Sequence, residues 1–97
     1  MTNEDEKIVA DYMDWHYAEH EGIYYYDWDG RRQRNLDLND VGLVVAEMQK
    51  RGEWEQFHDF VIEWGDLLSK ASFAYITAWL FNADNFFKAF CEWRKTK

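Results

Sequence analysis

Ninety-seven residues make one small domain, and a chain of this size buries roughly 60–65 % of its unfolded surface in one modest core. No apolar run approaches the ~18 residues of a membrane span, and a net charge of −8 disfavours direct nucleic-acid binding. The single Cys91 excludes an internal disulfide framework and suits a reducing cytoplasm.

Six Trp, six Tyr and seven Phe are more rings than so small a core easily hides. Two readings stand: exposed aromatic clusters that mark a protein interface, or rings stacked on one another at the domain edge. The charge is unevenly spread. Residues 1–29 carry nine acids against one Lys, and residues 30–52 carry five bases against three acids. Residues 53–92 return to seven acids against two Lys, and the last five residues add three bases. Such a distribution favours a partner with a basic groove. The opening MTNEDEK is polar and acidic, unlike a signal peptide, so the expected location is the cytoplasm.

In chain order, residues 3–18 are expected to form the first helix. Asn3 or Thr2 can cap it, and Glu4, Asp5 and Glu6 fill a first turn that favours negative charge. Ile8, Val9, Tyr12 and Met13 form an apolar stripe, extended by Trp15 and His16, with Asp11 and Asp14 on the other side. Ile23 to Trp28 favours strand by composition, and Asp29-Gly30 is a hairpin signal, with Arg31 to Asn35 returning as a polar strand. Asp27 can pair with Arg32 or Arg34 across the strands, and Tyr or Trp rings can lie under Arg.

The clearest element is the helix over 38–51. Val41, Val44, Val45 and Met48 share one face, Asp37 is the N-cap, and Asp40 complements the dipole. Lys50 and Arg51 suit the last turn, and Gly52 can leave it with positive φ. Trp54, Phe57, Val61, Trp64 and Leu68 have helical spacing, whereas the run FVIEW also alternates as a strand would. Gly65 and Asp66 signal a break. Ser72 to Leu80 is either a buried strand or the lead into a last helix over 82–95, with Asn82 as cap and Phe86, Phe87, Phe90 and Trp93 as its apolar face. The expected fold is therefore α+β, a single domain over 1–97: three helices around a short hairpin or small sheet. A mostly α-helical fold is the alternative.

This order of features resembles that of a group of small phage and prophage proteins of unknown function, the phage ABA-sandwich type. The matching pieces are IVADYMDWHY, IYYYDWDG, LDLNDVGLVVAEMQKRG and FNADNFFKAFCEW, with one or two strands between the last two. The resemblance implies an α/β sandwich and a phage gene setting. It implies no catalytic residues.

His16-Tyr17-Ala18-Glu19-His20 has the spacing of inverted zinc peptidases, in which two His one helical turn apart hold Zn²⁺ and the Glu is the general base. The string falls where the first helix should end, and so small a chain leaves little room for a cleft. His16 and His20 are therefore weak metal candidates, and a solvated helix end is preferred. Asp27-Trp28-Asp29-Gly30 lacks the other carboxylates of a calcium loop and reads as a β-turn. Cys91 has His58 as its remote His partner and reads as a small core residue. No glycine-rich phosphate loop and no acid–base carboxylate pair stands out. Neither a cofactor nor an enzymatic reaction is expected.

Period two puts Tyr24, Tyr26 and Trp28 on one face of the aromatic strand and Ile23, Tyr25 and Asp27 on the other. The first set is expected to face the core, leaving Tyr25 and Asp27 exposed. Asp11, Asp14, Tyr25, Asp27 and Asp29 are then the candidate partner-binding residues. The expected function is non-enzymatic. Acidic side chains would enter the basic surface of a host or phage nucleic-acid-handling protein, as a DNA mimic or anti-CRISPR inhibitor does, with aromatics as anchors. The alternatives are a self-associating protein with an aromatic homodimer interface and a small zinc-dependent hydrolase.

Overall fold

The computed structural model describes residues 2–64 and 78–97. The fold is α+β, with helices and a three-stranded antiparallel sheet. The chain forms two compact units, Met1–Leu36 and Asp37–Lys97.

In the first unit, α1 spans Asn3–Met13. The Thr2 side chain accepts a hydrogen bond from the Asp5 N–H at 3.1 Å, which satisfies one of the donors a helix start leaves open. Val9, Ala10 and Tyr12 are buried. The helix stops five residues before the expected end at 18. Asp14 turns into the left-handed region at φ 57°, a conformation that Asp adopts more readily than most residues, and its N–H closes on Ala10. His16–Ala18 is then free to run as strand β1. Strands β2 (Gly22–Asp27) and β3 (Gly30–Gln33) follow, in the sheet order β1-β2-β3. The register pairs His16 with Tyr24, and Tyr25 with Arg32. The helix lies against β1 and β2.

The expected hairpin is present, one residue earlier than its sequence signal. Asp27 pairs with Gly30, so Trp28 and Asp29 form the loop. Positive φ falls on Gly30, at 119°, and not on the two loop residues, so the turn is not the type I′ turn that needs positive φ at both. The expected burial of Tyr24, Tyr26 and Trp28 is corrected. Ile23, on the opposite face, is buried at 1 % exposure, whereas Tyr26 is 64 % and Trp28 100 % exposed. Along β2, burial fades from the Gly22 end to the Asp27 end. Position along the strand decides burial here more than which face a residue is on.

Gly22 ties sheet to helix. Its φ is +73°, and a Cβ there would lie 2.5 Å from Glu6 Oε2. Gly22→Ala is expected to cost about 1–2 kcal/mol for the left-handed backbone alone, with a further cost for moving the Glu6 carboxylate. Chemical denaturation measures it, and an unchanged midpoint would contradict a strained left-handed backbone at this position.

In the second unit, α2 (Leu38–Arg51) is built as its sequence specifies. Asp37 accepts from the Asp40 N–H and Asp40 accepts from the Asp37 N–H, both at 3.1 Å, a reciprocal capping box. Val41, Val44 and Met48 are buried, and Gly52 ends the helix at φ 71°. The ambiguous stretch resolves as a helix, α3 (Trp54–Trp64), so three helices was an undercount. Residues 78–80 are also helical. The expected break at Gly65-Asp66 and the choice between strand and helix for 72–77 lie outside the described residues. The final helix, α4 (Ala83–Lys95), starts at Asn82, whose side chain accepts from the Asn85 N–H at 3.1 Å. Phe57 of α3 meets Phe86, Phe90 and Trp93 of α4 at ring-centroid distances of 5.4, 6.4 and 5.5 Å. Cys91 is buried with them, in the structural role expected of it.

Within α2, Gly42 is exposed, and a Cβ built on it meets nothing within 4 Å among the described residues. A glycine inside a helix costs roughly 0.5–1 kcal/mol relative to Ala. Gly42→Ala is therefore expected to raise the stability of this unit by about that amount in the same denaturation assay.

Candidate functional site

The hairpin of the first unit has a different chemistry on each face. On one, the His16 ring stacks on Tyr24, with centroids 5.3 Å apart and planes 19° from parallel. Tyr26 meets both rings edge-on, at 5.7 Å from His16 and 5.5 Å from Tyr24. The Arg31 guanidinium lies 3.7 Å from the Tyr24 ring centroid, while its own nitrogen is 2.7 Å from a Glu21 carboxylate oxygen. This ordering follows from the register: Tyr24 is opposite His16 on β1, and Arg31 is opposite Tyr26 on β3. The Tyr24 hydroxyl is held above its ordinary pKa, first by a side-chain hydrogen bond with Tyr26 and next by desolvation, with Arg31 opposing.

On the other face, Arg34 lies over the Trp15 ring at 4.1 Å and reaches Tyr25 at 5.7 Å. Arg32 bridges the two loop carboxylates, 3.2 Å from Asp27 and 3.4 Å from Asp29. Asp27 also accepts a hydrogen bond from the Asp29 N–H at 2.9 Å, which fixes the loop. Both the Asp27–Arg32 pairing and the placement of rings under Arg agree with what the sequence suggests.

The five candidate partner residues separate into two groups. Asp27 and Asp29 are brought together by Arg32, so the hairpin tip carries less free negative charge than its sequence implies. Tyr25 shares their sheet and is 42 % exposed. Asp11 and Asp14 sit at the end of α1, exposed, and neither is in an ion pair among the described residues. No hydrogen bond or ion pair among the described residues joins them to the hairpin tip. The exposed rings that sequence reasoning missed are Tyr26 and Trp28, which it assigned to the buried face. The missed signal was local: a Trp between two Asp and before Gly sits in the loop itself, where neither face of a sheet can cover it.

His16 lies on β1 and His20 in the following turn, so the one-turn helical spacing a shared zinc ion needs is not formed. Among the described residues, no group of three His, Cys, Asp or Glu is placed to hold a metal ion. No helix among them is long and apolar enough to cross a membrane. The strands that the phage-type pattern places after the central helix are not found at 54–64, which is helical. No protein-family model, curated protein or solved structure matches the chain.

Proposed function

We propose that this chain is a non-enzymatic, cytoplasmic protein-binding module that docks the hairpin and α1 of its first unit on a basic protein surface. The observation that carries the reading is Trp28, fully exposed at the hairpin tip beside a 64 % exposed Tyr26. Leaving two large rings in water wastes apolar area in a chain that has a core to fill, whereas Trp and Tyr are the residues most often found to anchor interfaces. At the end of α1, Asp11 and Asp14 are exposed and in no ion pair among the described residues, and the whole chain carries a net charge of −8. A basic surface attracts such a face over about a Debye length, and the rings then lock it.

The narrower form of the proposal concerns the partner. A protein that normally holds nucleic acid has the required groove of Lys and Arg. The resemblance of the sequence to small phage proteins makes a host defence nuclease the partner of choice, with inhibition as the outcome. This step rests on charge and resemblance. A tagged pull-down from bacterial lysate tests it. The expected capture is a basic, nucleic-acid-handling protein that elutes between roughly 0.1 and 0.5 M salt. Recovery of the chain alone, still self-associated at high salt, would replace the reading by an aromatic homodimer.

A further inference from the structure

The second unit holds a groove of its own, with a volume of about 640 Å³, between α2, α3 and the segment that leads into α4. Leu38, Gly42 and Val45 line it from α2, Glu55 and Asp59 from α3, and Phe81 from the segment before α4. Its apolar surface continues outward, since Leu38 is 50 % and Phe81 64 % exposed. Three features bear on what fits there. The lining is apolar apart from a few polar side chains, and its acidic groups, Glu55 and Asp59, lie one helical turn apart on one edge. No Lys or Arg is among the described lining residues. Gly42, in the second turn of α2, has nothing within 4 Å of where a Cβ would stand among the described residues. Packing among the described residues does not require that glycine, and a helix-interior glycine is the residue that lets another backbone come close.

We infer that this groove receives one amphipathic, cationic helix of a partner polypeptide. Apolar side chains spaced i, i+3 or i+4, and i+7 enter beside Gly42, and Lys or Arg side chains on one flank meet Glu55 and Asp59. A second copy of the chain is the poorer occupant, because each copy carries a net charge of −8 and the rim is already acidic. A compact small molecule would leave the apolar rim at Leu38 and Phe81 uncovered. The inference is independent of the proposed hairpin interface, because every described lining residue of the groove belongs to Asp37–Lys97.

The test uses the full chain and two fluorescent helical peptides, alike in their leucine stripe but flanked by Lys in one and by Glu in the other. Fluorescence anisotropy is expected to show the Lys peptide binding at least ten-fold more tightly. Gly42→Leu extends a side chain from a groove-lining position where a Cβ meets nothing within 4 Å among the described residues, and is expected to weaken that binding at least ten-fold with the melting temperature maintained or raised. Glu55→Lys with Asp59→Lys changes exposed positions only, and is expected to abolish the preference for the Lys peptide. Asp11→Lys is expected to leave peptide binding unchanged, which separates this groove from the hairpin. Equal affinity for both peptides, or binding indifferent to Gly42→Leu, would overturn the inference. So would a concentration-dependent dimer that Gly42→Leu dissociates, since the groove would then hold a second copy.

Discussion

Replacing Phe57 by Ala is expected to cost about 3–5 kcal/mol, enough to leave the second unit largely unfolded in a chain of this size. Phe57 has no solvent exposure, and its ring contacts three others on α4: Phe86, Phe90 and Trp93. It is a main apolar contact between α3 and the final helix among the described residues. Truncation removes the transfer free energy of the ring and leaves a cavity whose walls are themselves rigid rings, so little collapse offsets the loss. The off-centre and tilted ring contacts add a favourable term that an aliphatic replacement does not restore. Phe57→Leu should therefore fall between the parent and Phe57→Ala in urea midpoint. A cost below about 1 kcal/mol for Phe57→Ala would show that α3 is not anchored through this ring.

The contrast between α2 and α1 shows what was legible in the sequence. In α2 every level agrees: Asp37 and Asp40 build the start, three of the four expected apolar residues are buried, and Gly52 makes the stop. The fourth, Val45, is half-buried because it lines the open groove. In α1 the apolar stripe runs on through Trp15 and His16, so periodicity alone carries the helix too far. A single backbone choice at Asp14 ends it, and His16 becomes the stacking partner of Tyr24. For 54–64, helical and strand periods compete in the same letters. A segment of 11 residues exceeds a usual strand, and the helix that length favours is the one formed. The candidate site was legible in its charge and aromatic content but not in its geometry. Arg32 takes up Asp27 and Asp29, which a count of carboxylates does not reveal, and the reversal of Tyr26 and Trp28 follows from where β2 loses its cover.

The second large effect concerns binding. With Asp11→Lys and Asp14→Asn together, association with the basic partner is expected to slow by on the order of ten- to a hundred-fold at low salt. Asn is used at position 14 because the backbone there is left-handed, which Asn tolerates and Lys does not. These two carboxylates are chosen over Asp27 because a Lys at 27 would also break the Arg32 bridge and disturb the loop. Trp28→Ala should act on the other rate. Its side chain is fully exposed, so folding stability should hold, while loss of an anchor worth about 2 kcal/mol speeds dissociation roughly thirty-fold. Stopped-flow association and surface-based dissociation, each at two salt concentrations, separate the charge effect from the ring effect. Unchanged association for the double variant would remove charge from the mechanism, and unchanged dissociation for Trp28→Ala would remove the anchor.

The most direct test of the central claim is displacement. The captured basic partner is loaded with a fluorescent DNA duplex, and the chain is added while anisotropy is followed. The proposed function predicts that the duplex is released in proportion to the chain added, that the double variant releases far less, and that raising salt suppresses the chain's effect. A stable assembly in which the partner holds duplex and chain at once would contradict it, because the acidic unit would then occupy some surface other than the nucleic-acid groove.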